Sequence, residues 1–203
     1  MSSTVTKNNQ APQKRIFLEI GPGAYPTAAH TTKRYTGGDV YVAVENKAGD
    51  YKSDKLFEGH DSMFKAQRRF VGARALEENV ILTEGDGRNL QFPDKSVHEV
   101  FMGNVLNGVD SSDIPAFLSE AHRVMDGSGP LVIDMENGVG SGFVSDIQDE
   151  LEAAGFDEGR VVERDGVEAD EWQQLNGEWP SAMWPEDHTF LIAHKLPDTS
   201  SSS

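Results

Sequence analysis

The chain of 203 residues contains no cysteine. A disulfide framework, a zinc site built from thiolates and a cysteine nucleophile are therefore all excluded. Long apolar runs are missing as well, because no stretch approaches the roughly 20 residues that a membrane-spanning helix needs. The amino end also lacks the basic and then apolar layout of a signal peptide. We therefore expect a cytoplasmic protein without a membrane anchor.

Basic residues are scarce: 18 Lys and Arg stand against 34 Asp and Glu, for a formal net charge of −16. Affinity for nucleic acid is supplied largely by Lys and Arg that neutralise phosphates, so nucleic acid and anionic membranes are unfavourable partners. We interpret the acid excess as a solvated surface, which adaptation to high salt would also produce. The length and the 37% hydrophobic content predict one domain with one sizeable core.

The most informative stretch is an apolar run, Ile16–Ile20, that stops at Gly21, Pro22 and Gly23. Such a run is typical of a strand buried on both faces of a parallel sheet, and the glycines predict a tight loop after it. Residues without a Cβ let a ligand approach the backbone closely, while Pro22 stiffens the turn. The pattern indicates a ligand at the carboxyl end of a first strand.

Strand-like and helix-like segments alternate along the rest of the chain, which predicts an α/β fold. One acid closes the second strand: Glu45 lies about two dozen residues beyond the glycines, the separation at which a βαβ unit places a carboxylate beside a ribose. The predicted strands are 16–20, 40–45, 80–83, 97–102, 131–134, 161–162 and 189–193, and the predicted helices are 27–35, 61–77, 113–125 with Ser112 as its cap, and 143–154.

A dinucleotide fingerprint, Gly-x-Gly-x-x-Gly, is the nearest alternative interpretation of the glycine loop. Its third glycine position holds Pro26, and an acid, Glu19, precedes the first glycine by two residues. Both departures weigh against a nicotinamide or flavin cofactor.

Three motifs together resemble the class I S-adenosylmethionine-dependent methyltransferases. They are Glu-x-Gly-x-Gly at 19–23, Gly-Asp-x-x-x-Leu-x-Phe-Pro-Asp at 85–94 and Glu-x-x-Arg-Val-Met at 120–125. The resemblance covers about residues 15–195. It implies a doubly wound, mostly parallel seven-stranded sheet with an antiparallel last strand, and S-adenosyl-L-methionine as the cofactor.

The resemblance also assigns residues to the methionine end of the cofactor. It implies that Glu19 helps hold the methionine ammonium group and that the loop of Gly21, Pro22 and Gly23 packs against the methionine and ribose. Asn104 falls where the family places residues beside the transferable methyl group and the methionine carboxylate.

Three further residues are assigned to the adenosine end by the same resemblance. Glu45 would bind the ribose, and Asp86 would accept a hydrogen bond from the adenine amino group. The backbone amide of Gly87 would reach the adenine ring.

Three segments divide the chain, and one of them contains an insertion. We predict disordered tails at 1–13 and 197–203 and a single methyltransferase-like domain at 14–196. Within that domain, residues 166–187 form an insertion that contains all three tryptophans of the chain. We weigh two roles for this insertion equally, a lid over the methyl acceptor and a plug for the sheet edge.

The reaction implied is transfer of a methyl group to a small-molecule acceptor by direct in-line displacement. The sequence pattern indicates no general base, so no catalytic residue is assigned. We also expect no metal. The alternatives are a metal-assisted transferase that uses Asp134, Glu136 and Asn137, and a non-catalytic member of the fold that binds the cofactor or a partner protein. The oligomeric state is left open.

Overall fold

A computed structural model of the chain describes residues 14–21, 39–45, 80–103, 105–135, 141–163 and 189–197. Seven strands lie within these residues and form one sheet. The strands are β1 (Ile16–Ile20), β2 (Val40–Glu45), β3 (Val80–Glu84), β4 (Glu99–Gly103), β5 (Pro130–Met135), β6 (Arg160–Glu163) and β7 (Thr189–His194). Two α-helices are described, α1 (Ile114–Val124) and α2 (Ser141–Ala153), and a 3₁₀ helix at Ser111–Asp113 precedes α1.

The strand order is β3-β2-β1-β4-β5-β7-β6. The first five strands pair in parallel, and β7 runs antiparallel between β5 and β6. The predicted fold class, a mostly parallel seven-stranded sheet with an antiparallel last strand, is confirmed. The continuous apolar runs of β1, β2 and β5 match strands that are buried on both faces.

Two groups of buried side chains lie on opposite faces of the sheet. The larger group includes the inward faces of α1 and α2, with Phe117, Leu118, Ile147 and Leu151. The smaller group is rich in aromatic residues and consists of Phe17, Tyr41, Ala43, Phe101, Val132, Val162, Phe190 and Ile192. Because side chains alternate along each strand, a residue's position in the register decides which face it occupies.

The fourth strand begins later than predicted, at Glu99 rather than Val97. The backbone of Val97 bonds to the segment that follows α1, because its N–H donates to the Val124 carbonyl and its own carbonyl accepts from the N–H of Asp126. Those bonds take Val97 out of the ladder with β1.

The prediction that Ser112 caps the helix is wrong. Ser112 lies inside the 3₁₀ helix, and the capping position belongs to Asp113, whose side chain makes no capping hydrogen bond. Two local facts explain this: Pro115 in the first turn has no N–H to offer, and the Asp113 carboxylate accepts a hydrogen bond from Arg88 at 2.9 Å.

Several predicted segments lie outside the described residues. They are the helices at 27–35 and 61–77, the amino-terminal tail at 1–13, most of the carboxyl-terminal tail at 198–203, and the tryptophan-rich insertion at 166–187. Among the helices that the structure does describe, none has the length and apolarity needed to cross a membrane.

Helix α1 holds the loop that follows β3. Glu120 accepts a hydrogen bond from the Leu90 N–H at 2.6 Å, and Arg123 donates to the carbonyls of Leu90 and Phe92 at 3.0 and 2.9 Å. The two side chains also bond to each other, which lowers the pKa of Glu120 below its ordinary value of 4.5. The Glu-x-x-Arg motif therefore fixes the path of the loop that begins at Asp86.

We expect Glu120→Gln to lower the free energy of unfolding by about 1.5 to 3 kcal/mol at pH 7, because charge-assisted hydrogen bonds from Arg123 are lost. Since folding lowers the pKa of Glu120, its contribution is present above pH 4.5 and is lost as the pH falls through the lowered value. Urea denaturation across this range should show wild type and variant converging in acid. The control is Glu152→Gln, an exposed change on α2, and equal stability of Glu120→Gln and wild type at pH 7 would contradict the role.

Candidate functional site

The first four strands end at one edge of the sheet, because parallel strands in register share an edge at their carboxyl ends. Ile20 of β1 pairs with Val44 of β2 and with Met102 of β4. Two backbone hydrogen bonds extend the ladder into the loops, from the Gly21 N–H to the Val44 carbonyl and from the Gly85 N–H to the Glu45 carbonyl, both at 2.9 Å. The loops that carry the predicted site residues are thus tied to this edge.

Glu19 is a fully buried carboxylate, with 0% of its surface exposed. It lies on the aromatic face of the sheet, where its Oε2 accepts a hydrogen bond from the hydroxyl of Tyr41. Burying an ionised group without partners is costly, so a buried carboxylate needs donors around it. One such donor, the hydroxyl of Tyr41, comes from the neighbouring strand β2.

Gly21 begins the loop after β1 in a backbone conformation that suits glycine, with φ of +66°. A Cβ added there would lie 2.2 Å from Cγ2 of Val105, which follows β4. Both facts require glycine, so the first glycine of the motif is explained by close approach of the β1 and β4 loops. Pro22 and Gly23 lie outside the described residues.

Gly103, which sequence reasoning did not identify, lies close to both loops. A Cβ on Gly103 would lie 3.2 Å from Cε1 of Phe101, 3.7 Å from the Gly21 carbonyl oxygen and 3.8 Å from Oε1 of Glu19. Two oxygen acceptors therefore border the position that a side chain at 103 would fill. Asn104, the predicted site residue that follows Gly103, lies outside the described residues.

Glu45 is the last residue of β2 and is 5% exposed. It follows Tyr41 and Ala43 on the aromatic face of the sheet, the face that also carries Glu19. In the register it pairs with Glu84 of β3, whose side chain is exposed. The site edge therefore carries two buried carboxylates, Glu19 and Glu45, on one face.

Asp86 opens a tight turn after β3 and is engaged by Arg88. The Arg88 guanidinium donates to both carboxylate oxygens, with Nε to Oδ1 at 3.0 Å and Nη2 to Oδ2 at 2.8 Å, and the Arg88 N–H also donates to Oδ1. These hydrogen bonds hold the pKa of Asp86 below its ordinary value against the opposing effect of partial burial. Asp86 is therefore ionised at neutral pH and acts only as an acceptor.

Arg88 also donates to Asp113 at 2.9 Å and so connects the turn to the segment before α1. The sequence motif leaves this position open, and Arg88 was not predicted. A basic residue two places after an aspartate that opens a turn could have indicated the pair, since such an aspartate bonds to the backbone two residues on.

Gly87 brings the turn against the core. A Cβ at this position would lie 2.6 Å from Cγ2 of Ile20 and 2.6 Å from Cε1 of Phe117. Only glycine fits between the end of β1 and helix α1, so the Asp86 turn approaches the edge at which Glu19 and Gly21 lie. Five of the predicted site residues, namely Glu19, Gly21, Glu45, Asp86 and Gly87, therefore lie at or next to the carboxyl ends of β1, β2 and β3, with Glu19 and Glu45 on the aromatic face and Gly87 against the face covered by α1.

No group of three or more His, Asp or Glu side chains that could hold a metal occurs among the described residues. Asp134, the described member of the alternative metal set, is 1% exposed and lies within β5, while residues 136 and 137 fall outside the described ranges.

A model of the methyltransferase domain family matches residues 18–133, more than half of the chain. The matched span begins inside β1 and ends inside β5, so it contains Glu19, Glu45 and Asp86. No curated protein sequence matches the chain.

Solved structures with the same fold include the S-adenosylmethionine-dependent methyltransferase SibL, at 12% identity and a TM-score of 0.59, with 92% of this chain and 53% of SibL covered. A methyltransferase from Pyrococcus furiosus has 14% identity and a TM-score of 0.59, over 91% of this chain and 76% of that one. PigF, solved with SAH, has 17% identity and a TM-score of 0.55, over 93% and 52%. The chain thus spans about half the length of SibL and PigF.

The sheet order with its antiparallel β7, the shared fold of these structures and the family match agree. The chain therefore belongs to the class I S-adenosylmethionine-dependent methyltransferases, enzymes whose cofactor is S-adenosylmethionine.

Proposed function

We propose that the chain transfers a methyl group from S-adenosylmethionine to a small-molecule acceptor by direct in-line displacement. When bound, the cofactor supplies an electrophilic methyl group, to which an acceptor lone pair bonds as the carbon–sulfur bond breaks and its electrons pass to sulfur. Positioning does most of the work in such a step, and we assign no general base.

The observation that carries the proposal is the pair of oxygen acceptors beside Gly103. They are the carboxylate of Glu19 and the carbonyl of Gly21, and an ammonium group donates three hydrogen bonds to acceptors of this kind. A methionine ammonium group would also pair with the negative charge of Glu19, and charges buried in proteins are generally paired.

The other predicted residues take the remaining parts of the cofactor in this proposal. Glu45 binds the ribose hydroxyls, Asp86 and the Gly87 amide bind the adenine, and the loop of Gly21, Pro22 and Gly23 packs against the methionine and ribose. The buried end of β2 and the ionised state of Asp86 support these roles. Asn104, next in sequence to Gly103, is assigned by the family resemblance to the transferable methyl group and the methionine carboxylate.

A small-molecule acceptor is favoured by charge. The net charge of −16 repels phosphate backbones, and the chain after β4 reads Gly103, Asn104, Val105 rather than the Asn/Asp-Pro-Pro-Tyr/Phe sequence of many methylases that act on planar amino groups. We place the acceptor against residues 166–187, because the described strand ends are assigned to the cofactor and three tryptophans offer apolar contact area.

Isothermal titration calorimetry should show binding of S-adenosylmethionine and S-adenosylhomocysteine and much weaker binding of NAD. Incubation of the protein with methyl-labelled cofactor and a fractionated cell extract should then place the label in the small-molecule fraction. Binding of NAD alone would contradict the cofactor assignment, and label found only in RNA or protein would contradict the acceptor class.

Glu45→Ala should weaken binding of S-adenosylhomocysteine by about 2 to 4 kcal/mol, because two charge-assisted hydrogen bonds to the ribose are lost. The matched control is Glu84→Ala, which removes the exposed carboxylate beside Glu45 in the register and should leave affinity unchanged. Equal affinities of wild type and Glu45→Ala would refute the ribose assignment.

Asp86→Asn should lower affinity for S-adenosylhomocysteine and reduce the preference over S-inosylhomocysteine, which lacks the adenine amino group. The asparagine retains one acceptor oxygen but replaces the other with a donor group. Because the substitution also loses the ion pair with Arg88, Arg88→Met serves as the control that removes the pair and keeps the carboxylate. If Arg88→Met alone abolishes the preference, Asp86 does not recognise the amino group.

A further inference from the structure

Tyr41 and Glu19 form a buried pair across two strands. Tyr41 is 1% exposed and Glu19 is 0% exposed. The Tyr41 hydroxyl donates to Oε2 of Glu19, while Oε1 lies 3.8 Å from the position that a Cβ on Gly103 would occupy. One carboxylate oxygen is therefore held by a side chain of β2, and the other lies on the side of Gly103, where the methionine ammonium group is proposed to bind.

The register of β1 and β2 fixes this pair. Phe17 pairs with Tyr41 and Glu19 pairs with Ala43, so Tyr41 is the diagonal neighbour of Glu19 on the same face. A diagonal neighbour on an adjacent strand is within reach of an aromatic side chain. The ring of Tyr41 packs with the other aromatic residues of this face, so its hydroxyl is presented from a rigid position.

We infer that Tyr41 is a positioning residue for the methionine end of the cofactor, acting through Glu19. Its hydroxyl bonds to Oε2 and so helps to hold the Glu19 carboxylate with Oε1 on the side of Gly103. This inference rests on the proposed role of Glu19. A carboxylate that is already oriented loses no rotational freedom when the ligand binds, and such preorganisation raises affinity.

Tyr41→Phe removes the donor and keeps the ring. The informative readout is the ratio of two affinities, measured by calorimetry, for S-adenosylhomocysteine and for 5′-methylthioadenosine, which has the adenosine and sulfur but no ammonium group. Tyr41→Phe should lower the affinity for S-adenosylhomocysteine by about tenfold, the scale of one hydrogen bond to a charged group. The affinity for 5′-methylthioadenosine should stay unchanged. Equal weakening of both ligands, or of neither, would overturn the inference.

Glu19→Gln separates failure of the inference from failure of the proposed function. If Glu19→Gln lowers the same ratio and Tyr41→Phe does not, Glu19 binds the ammonium group without help from Tyr41. If Glu19→Gln leaves the ratio intact, the proposed role of Glu19 is wrong. Because Tyr41 acts through Glu19, adding Tyr41→Phe to Glu19→Gln should change the ratio no further, which is the coupling expected of residues in one network.

Two more variants distinguish positioning from simple stability. Val162→Ala makes a cavity in the same aromatic group but on β6, at the far end of the sheet, so it should lower stability and leave the affinity ratio unchanged. Tyr41→Met fills the space with a flexible apolar side chain that has no donor, and should reproduce the effect of Tyr41→Phe. A changed ratio in Val162→Ala, or an unchanged one in Tyr41→Met, would count against the role of Tyr41.

Discussion

The parallel pairing of β1 with β2 on one side and β4 on the other is the constraint on which the site depends. Because of this pairing, the carboxyl ends of three strands lie at one edge of the sheet. The alternation of side chains along β1 and β2 then places Glu19 and Glu45 on the same face. A slip of β2 by one residue would turn Glu45 to the opposite face and separate Tyr41 from Glu19. The backbone hydrogen bonds of Gly21 and Gly85 to β2 fix the positions at which the loops after β1 and β3 begin.

Most of this architecture could be predicted from the sequence, for a physical reason. Strands buried on both faces have nearly continuous apolar sequences, which makes them recognisable. Glycines and acids follow or close these runs, as at Gly21 and Glu45, and so indicate where the strands end. The resemblance to a family then ordered the strands, including the antiparallel last one. Strand bounds were less predictable, because Val97 bonds to the residues after α1 and not to β1.

The site was predictable where a motif fixes it and unpredictable where a partner comes from another strand or turn. In sequence, Tyr41 is one more member of the β2 run, and nothing local indicates that its hydroxyl meets Glu19 across the sheet. Arg88 is similar, since its bonds to Asp86 and Asp113 depend on how the turn folds against α1. At Ser112 a local signal predicted a helix cap that does not form. Pro115 has no N–H for a cap to bind, and the Asp113 carboxylate accepts a hydrogen bond from Arg88 instead of capping the helix.

The place of β7 in the sheet sets the order in which the fold can be completed. β5 and β6 do not pair with each other; each pairs with β7, the last strand in the chain. The strands β1 to β5, which carry the residues proposed to bind the cofactor, pair only with one another and with β7, so their mutual pairing does not require β6 or β7. The outer edge of β5 has no partner until residues 189–194 arrive, and an open strand edge is a template for pairing with other chains. If β1 to β5 assemble before β7 is made, the edge of β5 is therefore open to pairing with other chains until residues 189–194 are synthesised.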